Sequence, residues 1–344
     1  MATSEVLVIG SERFRDHATP AGHPERPERA DVMAAVLSRW RSRGGRTAEP
    51  RAVSDAALER VHAAGYVRSI GSTAGRRVRL DPDTYAAPES EAIARLAAGA
   101  ALAAVDHALD GDAIALALVR PPGHHAERER AMGFCLYNNA AVAAAHALDR
   151  GLERVAVVDY DVHHGNGTQW IFYDDQRVLY LSTHQYPFYP GTGAADDVGR
   201  GDGAGFTVKI PLAAGAGDAD LDRVFREVAA PVLAAYDPEL IVLSAGYDAH
   251  VDDPLGGMRV TTGGYATLTR RLRAAAERSC AGRLAVVTEG GYDLAALEAC
   301  LEGTLEVAAG ASPGAIASLD GATPAADAAL AAVRPALRAF WPTL

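Results

Sequence analysis

Asp161 and His163 stand two residues apart just beyond an aliphatic run at 155–158, so in extended chain both side chains point the same way. Asp248 follows a second such run, at 240–243, and can complete a three-ligand set. A catalytic metal needs about three protein ligands and an open position for water and substrate. Two carboxylates and one imidazole neutralise a divalent cation while leaving it electrophilic. Zn2+ fits first, and the O,O,N set also suits Fe2+ or another divalent ion. A lone Asp-x-His is ordinarily a strand-end hydrogen bond, and only agreement among several strand ends overrides that bland explanation.

His124 and His125 follow Pro121-Pro122-Gly123, a stiff turn that fixes where both imidazoles point. Adjacent histidines beside a metal suggest proton transfer, from an attacking water and then to a leaving group. Asp159 and Asn166 flank the ligand set and can accept the outer N–H groups of two histidines, which would fix tautomer and basicity. Tyr292, on a Gly290-Gly291 turn, can donate its hydroxyl to a developing oxyanion. Without these neighbours it would be a core tyrosine.

These groups need a scaffold that delivers them to one place. Short aliphatic runs at 6–9, 113–119, 155–158, 178–181, 240–243 and 284–287 alternate with helix-patterned stretches at 90–109, 139–150, 218–236 and 263–279. Strands apolar on both faces, alternating with helices, indicate an α/β fold with a mostly parallel central sheet covered on each side. Five of the runs end in ionisable groups, and ligands of open α/β sheets bind at the carboxyl edge. The expectation is one domain spanning 1–344, with a core at about 1–308. The segment 309–344, ending in Phe340 and Trp341, would pack as a closing helix.

Composition narrows the function further. The net charge of −11 has no Lys/Arg cluster to oppose it, which argues against a nucleic-acid groove or a membrane-surface patch. No run of ~18 apolar residues suggests a membrane-spanning helix. The opening residues look like a first strand rather than a leader peptide. Three widely spaced cysteines (Cys135, Cys280 and Cys300) suit a reducing cytoplasm better than a disulfide framework.

Seven linked motifs resemble the histone deacetylase superfamily, in its class II and bacterial amidohydrolase branch, related to acetylpolyamine amidohydrolases. They are His23-Pro-Glu-Arg-Pro-Glu-Arg29, Arg120-Pro-Pro-Gly-His-His125, Gly133-Phe-Cys-Leu-Tyr-Asn-Asn139, Asp159-Tyr-Asp-Val-His-His-Gly-Asn-Gly167, Pro190-Gly-Thr-Gly193, Ser244-Ala-Gly-Tyr-Asp-Ala-His250 with Asp253-Pro254, and Glu289-Gly-Gly-Tyr292. The resemblance implies an arginase/deacetylase-like three-layer fold and hydrolysis of an N-acetyl amide on a long amine, releasing acetate. It makes Asp161, His163 and Asp248 the zinc ligands and His125 the general base, with His124 held by Asp159. Asn166 agrees with class II usage, and Tyr292 polarises the substrate carbonyl. Phe134 and Tyr189 match the tunnel walls, the Gly133 carbonyl accepts the substrate amide, and Arg29 lines an acetate channel. Asp81 or Asp83 would supply the rim carboxylate.

The resemblance also implies K+ at Asp159, Asp161, His163, Ser182 and Thr183, with a second, more weakly placed site at Phe172, Asp175, Val178 and Phe206. Leu255 stands at a rim position where a polyamine-selective relative carries glutamate. Leucine cannot attract a second ammonium group, which favours an acetyl-lysine side chain in a protein or peptide over an acetylated small amine. Two rivals remain, a ureohydrolase and a non-catalytic acyl-lysine binder. The first needs further carboxylates where Gly165 and His250 stand, and the second usually loses one of His124, His125 and Tyr292. Among other histidines, His62, His107 and His146 are expected at the surface or as caps. His184 and His250 are expected near the site, and His17 and His23 at the pocket mouth. Oligomeric state is not legible.

Overall fold

The strands alternate cleanly between two apolar layers. In a computed structural model describing residues 6–111, 114–312, 319 and 321–344, Leu116, Ala156, Val158 and Leu243 pack on one face of a sheet. Their neighbours Ala115, Ala117, Val157 and Val242 pack on the other. Period-two alternation with both faces covered is why these runs are apolar without interruption. The first residue of the expected run at 113–119 lies outside the described residues, as do 313–318 and 320 of the closing segment.

Among the described residues ten strands form: β1 Val6–Ile9, β2 Arg46–Ala48, β3 Val78–Arg79, β4 Tyr85–Ala86, β5 Ile114–Ala117, β6 Val155–Asp159, β7 Val178–Gln185, β8 Thr207–Leu212, β9 Leu240–Ala245 and β10 Leu284–Thr288. Eight make one parallel sheet in the order β2-β1-β5-β10-β9-β6-β7-β8, while β3 and β4 pair separately and antiparallel. Asp159 is opposite both Ser182 and Ser244, so the carboxyl ends of β6, β7 and β9 lie level. The five strands that carry the polar motifs (β5, β10, β9, β6 and β7) are adjacent in the sheet.

Three sequence expectations need correction. Strand β8 was not anticipated because Lys209 and Pro211 interrupt its apolar pattern; a sheet edge tolerates proline, which cannot complete a ladder from both sides. The helix expected over 218–236 is broken by a wide π-helical turn at Phe225–Ala229, just before Pro231, whose ring and missing N–H disturb the regular ladder. The helix Ser90–Leu109 is long and apolar enough to cross a membrane, contrary to expectation, but 67% of its apolar stretch is buried against the rest of the protein. The expected closing helix forms at Pro324–Leu337. Beyond it Trp341 is buried and donates to the Gly205 carbonyl at 2.8 Å, whereas Phe340 is exposed.

Candidate metal centre and tunnel

Asp161 and His163 leave β6, and Asp248 leaves the neighbouring β9, so one step across the sheet brings them together. Their ligand atoms all lie within 4.8 Å of one another, and all three residues are buried. His163 Nδ1 is 3.1 Å from Asp161 Oδ1 and 3.1 Å from Asp248 Oδ2. Main-chain N–H groups steady the carboxylates: Gly290 donates to Asp161 Oδ2 at 2.9 Å, His163 to Asp161 Oδ1 at 2.9 Å, and Val162 to Asp248 Oδ1 at 2.9 Å. A β-carbon at Gly246 would strike the Asp161 carboxylate, and one at Gly290 would strike that of Asp248. Glycine is required there by close approach alone.

The electrostatics call for a cation. Burial and the charge of Asp161 push the Asp248 carboxyl up to about 7. Burial opposes charge on His163, but its hydrogen bonds to Asp161 and Asp248 prevail and raise it to about 10. A buried Asp/His/Asp set of this kind fits a divalent metal, whose charge would relieve both carboxylates. Among the described residues no other such cluster can hold one. His164 Nδ1 bonds Thr192 Oγ1 at 2.8 Å, and His250 Nδ1 takes the Asp252 N–H.

The histidine pair lies beside this set. His124 Nδ1 meets Asp159 Oδ2 at 3.0 Å, and His125 Nδ1 meets Asn166 Oδ1 at 2.7 Å. Burial works against a charged His124, yet Asp161 and Asp159 outweigh it and hold it up at about 10. Burial, reinforced by His124 and His163, holds His125 well below the usual histidine range. The two imidazoles are thus pushed in opposite directions, His124 toward its charged form and His125 toward the free base. Sequence reasoning missed what holds their loop. The Glu289 carboxylate, at the end of β10, accepts the N–H of Gly123 at 2.6 Å and of His124 at 3.1 Å. Its position on the same strand edge was the available signal.

A narrow cavity of about 70 Å³ leads to these groups. Asp83, His125, Gly133, Phe134, His163, Tyr189, Leu255 and Tyr292 line it, so the expected tunnel residues and Tyr292 share one space. Asp83 reaches the cavity and Asp81 does not. Asp81 instead caps the turn, accepting from the N–H groups of Asp83 and Thr84. Phe134 takes φ 70, a strained value for a side-chain-bearing residue, and its N–H is held by Thr84 Oγ1 at 3.0 Å. Burial keeps the Tyr292 hydroxyl protonated, well above its usual range. Asp253, also unassigned from sequence, accepts the N–H groups of Leu255 and Tyr292 at 2.9 and 2.6 Å and so sets both rim and tyrosine.

Arg29 lies behind Tyr292, with its guanidinium 5.0 Å from the ring centroid. It donates to the Gly291 and Glu289 carbonyls and pairs with Glu25, which also takes Arg120 bidentately. Ser182 Oγ is 2.9 Å from His184 Nδ1, and Ser182 stands opposite Asp159; Thr183 follows it on β7. Phe172, Asp175, Val178 and Phe206 gather around the start of β7, but the Asp175 carboxylate is engaged by Arg177 at 2.9 and 2.7 Å.

Three histidines, His62, His107 and His17, depart from expectation. His62 is fully buried, with Nδ1 at 3.0 Å from the Glu127 carbonyl and Nε2 taking the Asn138 N–H; His107 is buried as well. His146 pairs with Asp106 on a partly exposed face. His23 sits near the mouth, edge-on to Phe134, while His17 is buried against Ser90 and Glu25.

Two outcomes are expected. Elemental analysis should give one divalent ion per chain in the parent protein and none in Asp248→Asn; two ions per chain, or retention in the variant, would contradict the cage. Burial lowers His62 to about 4, whereas an unfolded histidine titrates near 6.5. Its contribution to stability is complete above 6.5 and is lost as pH falls toward 4, by about 3 kcal/mol. Urea unfolding at pH 7.5 and 5 should show about 2 kcal/mol of that loss, and His62→Gln should flatten it; an equal slope in both proteins would refute the assignment.

The sequence model of the histone deacetylase domain matches residues 23–308. Histone deacetylase 15 of Arabidopsis thaliana is 41% identical over 91% of this chain, and polyamine deacetylase HDAC10 of Homo sapiens is 43% identical over 79%. This chain spans 58% and 43% of those two proteins' lengths. A crystal structure of the HDA15 HD domain superposes with TM-score 0.91 at 38% identity, covering 99% of this chain and 96% of that one. On a match that spans residues 23–308, this chain belongs to the histone deacetylase family.

Proposed function

We propose that this protein hydrolyses the acetyl amide of a lysine side chain in a protein or peptide, releasing acetate and the free amine. The observation that carries the proposal is the cavity whose floor joins His125, His163 and Tyr292 and whose walls are Phe134 and Tyr189. A slender acylated chain fits between two aromatic faces; a bulky or branched amide does not. Zn2+, or Fe2+ in its place, held by Asp161, His163 and Asp248 supplies Lewis acidity and lowers the pKa of a water toward ~7.

The protein's own groups do the rest. His125 Nε2 takes the proton from the attacking water while Asn166 holds its other nitrogen. The Tyr292 hydroxyl donates to the carbonyl oxygen as negative charge builds there. A protonated histidine of the pair then delivers a proton to the amine nitrogen, and the C–N bond breaks. His124, charged beside Asp159, keeps positive potential at the oxyanion. The Gly133 carbonyl accepts the substrate N–H and Asp83 grips a peptide backbone at the rim, whereas Arg29, bonded to Glu25 and the Gly291 and Glu289 carbonyls, lies behind Tyr292 and off the cavity lining. K+ beside Asp159, Asp161, His163, Ser182 and Thr183 would add charge behind the cage. A second K+ site at Phe172, Asp175, Val178 and Phe206 is less favoured, because Arg177 already occupies its carboxylate.

Leu255 on the cavity wall favours acetyl-lysine; the similarity to a human polyamine deacetylase supports an acetylated polyamine instead. Rates on an acetyl-lysine peptide and on N8-acetylspermidine, measured side by side with a hydroxamate control, discriminate the two. Faster peptide turnover is expected, and faster polyamine turnover would refute the role given to Leu255. Absence of hydroxamate-sensitive turnover on both would overturn the deacetylase proposal. Tyr292→Phe should lower kcat by about 10²–10³-fold, as loss of one oxyanion donor does elsewhere; full activity would remove Tyr292 from the mechanism.

A further inference from the structure

His124 and His125 are held by different kinds of partner. The Asp159 carboxylate accepts from His124 whichever oxygen it presents. Asn166 is an amide with an accepting end and a donating end, and its orientation decides which ring nitrogen of His125 carries hydrogen. Something must therefore choose that orientation.

Asn166 Nδ2 donates to Glu127 Oε1 at 2.7 Å and to Met132 Sδ at 3.3 Å, while Oδ1 faces His125 Nδ1 at 2.7 Å. Half a turn of the amide would set Oδ1 against a carboxylate oxygen and a thioether sulfur, neither of which has a hydrogen to give. It would also aim Nδ2 at His125 Nδ1, move the ring hydrogen to Nε2 and remove the lone pair that faces the cavity. Glu127 is itself fixed. Its carbonyl takes the buried His62 Nδ1 at 3.0 Å, its N–H donates to the Arg130 carbonyl at 2.9 Å, and His62 Nε2 is committed to the Asn138 N–H at 3.0 Å.

We propose that Glu127 is a positioning residue for this reaction: it locks the Asn166 amide so that His125 keeps its hydrogen on Nδ1 and presents a bare Nε2 to the substrate. The proposal rests on the assignment of His125 as the base. It also explains why the fully buried His62 has both nitrogens bonded, since His62 anchors the turn that carries Glu127.

The test compares the parent protein with Glu127→Gln and Glu127→Ala, each checked for melting temperature and metal content. Two-bond 15N–1H correlation on 15N-histidine-labelled protein reads the His125 tautomer, and steady-state rates on an acetyl-lysine peptide separate kcat from KM. The parent should show the Nδ1–H form. Glu127→Gln keeps an acceptor oxygen, so it should keep that tautomer and hold kcat within about threefold. Glu127→Ala should mix tautomers and lower kcat about tenfold with KM unchanged, a milder form of the wrong-tautomer loss seen when an orienting group is altered. An unchanged tautomer in Glu127→Ala would overturn the proposal, as would a loss in which KM and melting temperature move with kcat. If the parent fails to turn over the peptide, the proposed function falls while the tautomer measurement still decides the role of Glu127.

Discussion

Two carboxylates, Asp161 and Asp248, stand side by side with His163 where water is excluded, and most of the surrounding structure makes that placement tolerable. Buried like charges are strongly unfavourable unless hydrogen-bonded and offset by a cation. Level strand ends supply the N–H groups of Val162, His163 and Gly290, and glycines at 246 and 290 let the backbone approach closely. The sheet order follows the same need, because the two carboxylates can meet only if β6 and β9 are neighbours. A divalent ion held there would convert this repulsion into a driving force for its own binding.

A second layer of buried charge surrounds the first and is closed within the protein. Glu25 takes Arg29 and Arg120 together, and Arg29 spends its other donors on the carbonyls of Gly291 and Glu289, directly beside Tyr292. Glu289 in turn holds the loop carrying the histidines, and Asp253 holds the backbone of Tyr292. Breaking one partner of such a network strands another buried charge, which makes these residues costly to replace although none faces the cavity. The histidine loop and Tyr292 are thus oriented by contacts with these buried charges.

Much of this was legible in the sequence because the scaffold and the chemistry use separate signals. Aliphatic runs mark strands covered on both faces, and the motifs follow those runs at the carboxyl edge, so the cage, the histidine pair and Tyr292 could be placed on one sheet. What escaped depends on contacts between distant segments. Nothing near Glu25 shows that Arg120 lies against it, and nothing near His62 shows that it anchors the turn bearing Glu127. Asp81 and Asp83 differ only in which of them the turn points inward. Strand β8 was hidden because Lys209 is buried against Asp197, a pairing that local pattern cannot reveal. The wide turn before Pro231 and the apolar helix at 90–109 show the same limit, since tertiary packing decides both.

The central claim is that one metal cage and one base, brought together by adjacent strands, perform repeated amide hydrolysis. The most direct measurement is the number of acetate molecules released per chain from an acetyl-lysine peptide, before chelation, after it, and after return of one equivalent of Zn2+, with His125→Ala alongside. Many acetates per chain, lost on chelation, restored by the ion and nearly absent in the variant, is the predicted result. Release that stops at one acetate per chain, or that chelation and His125→Ala leave unchanged, would contradict the account.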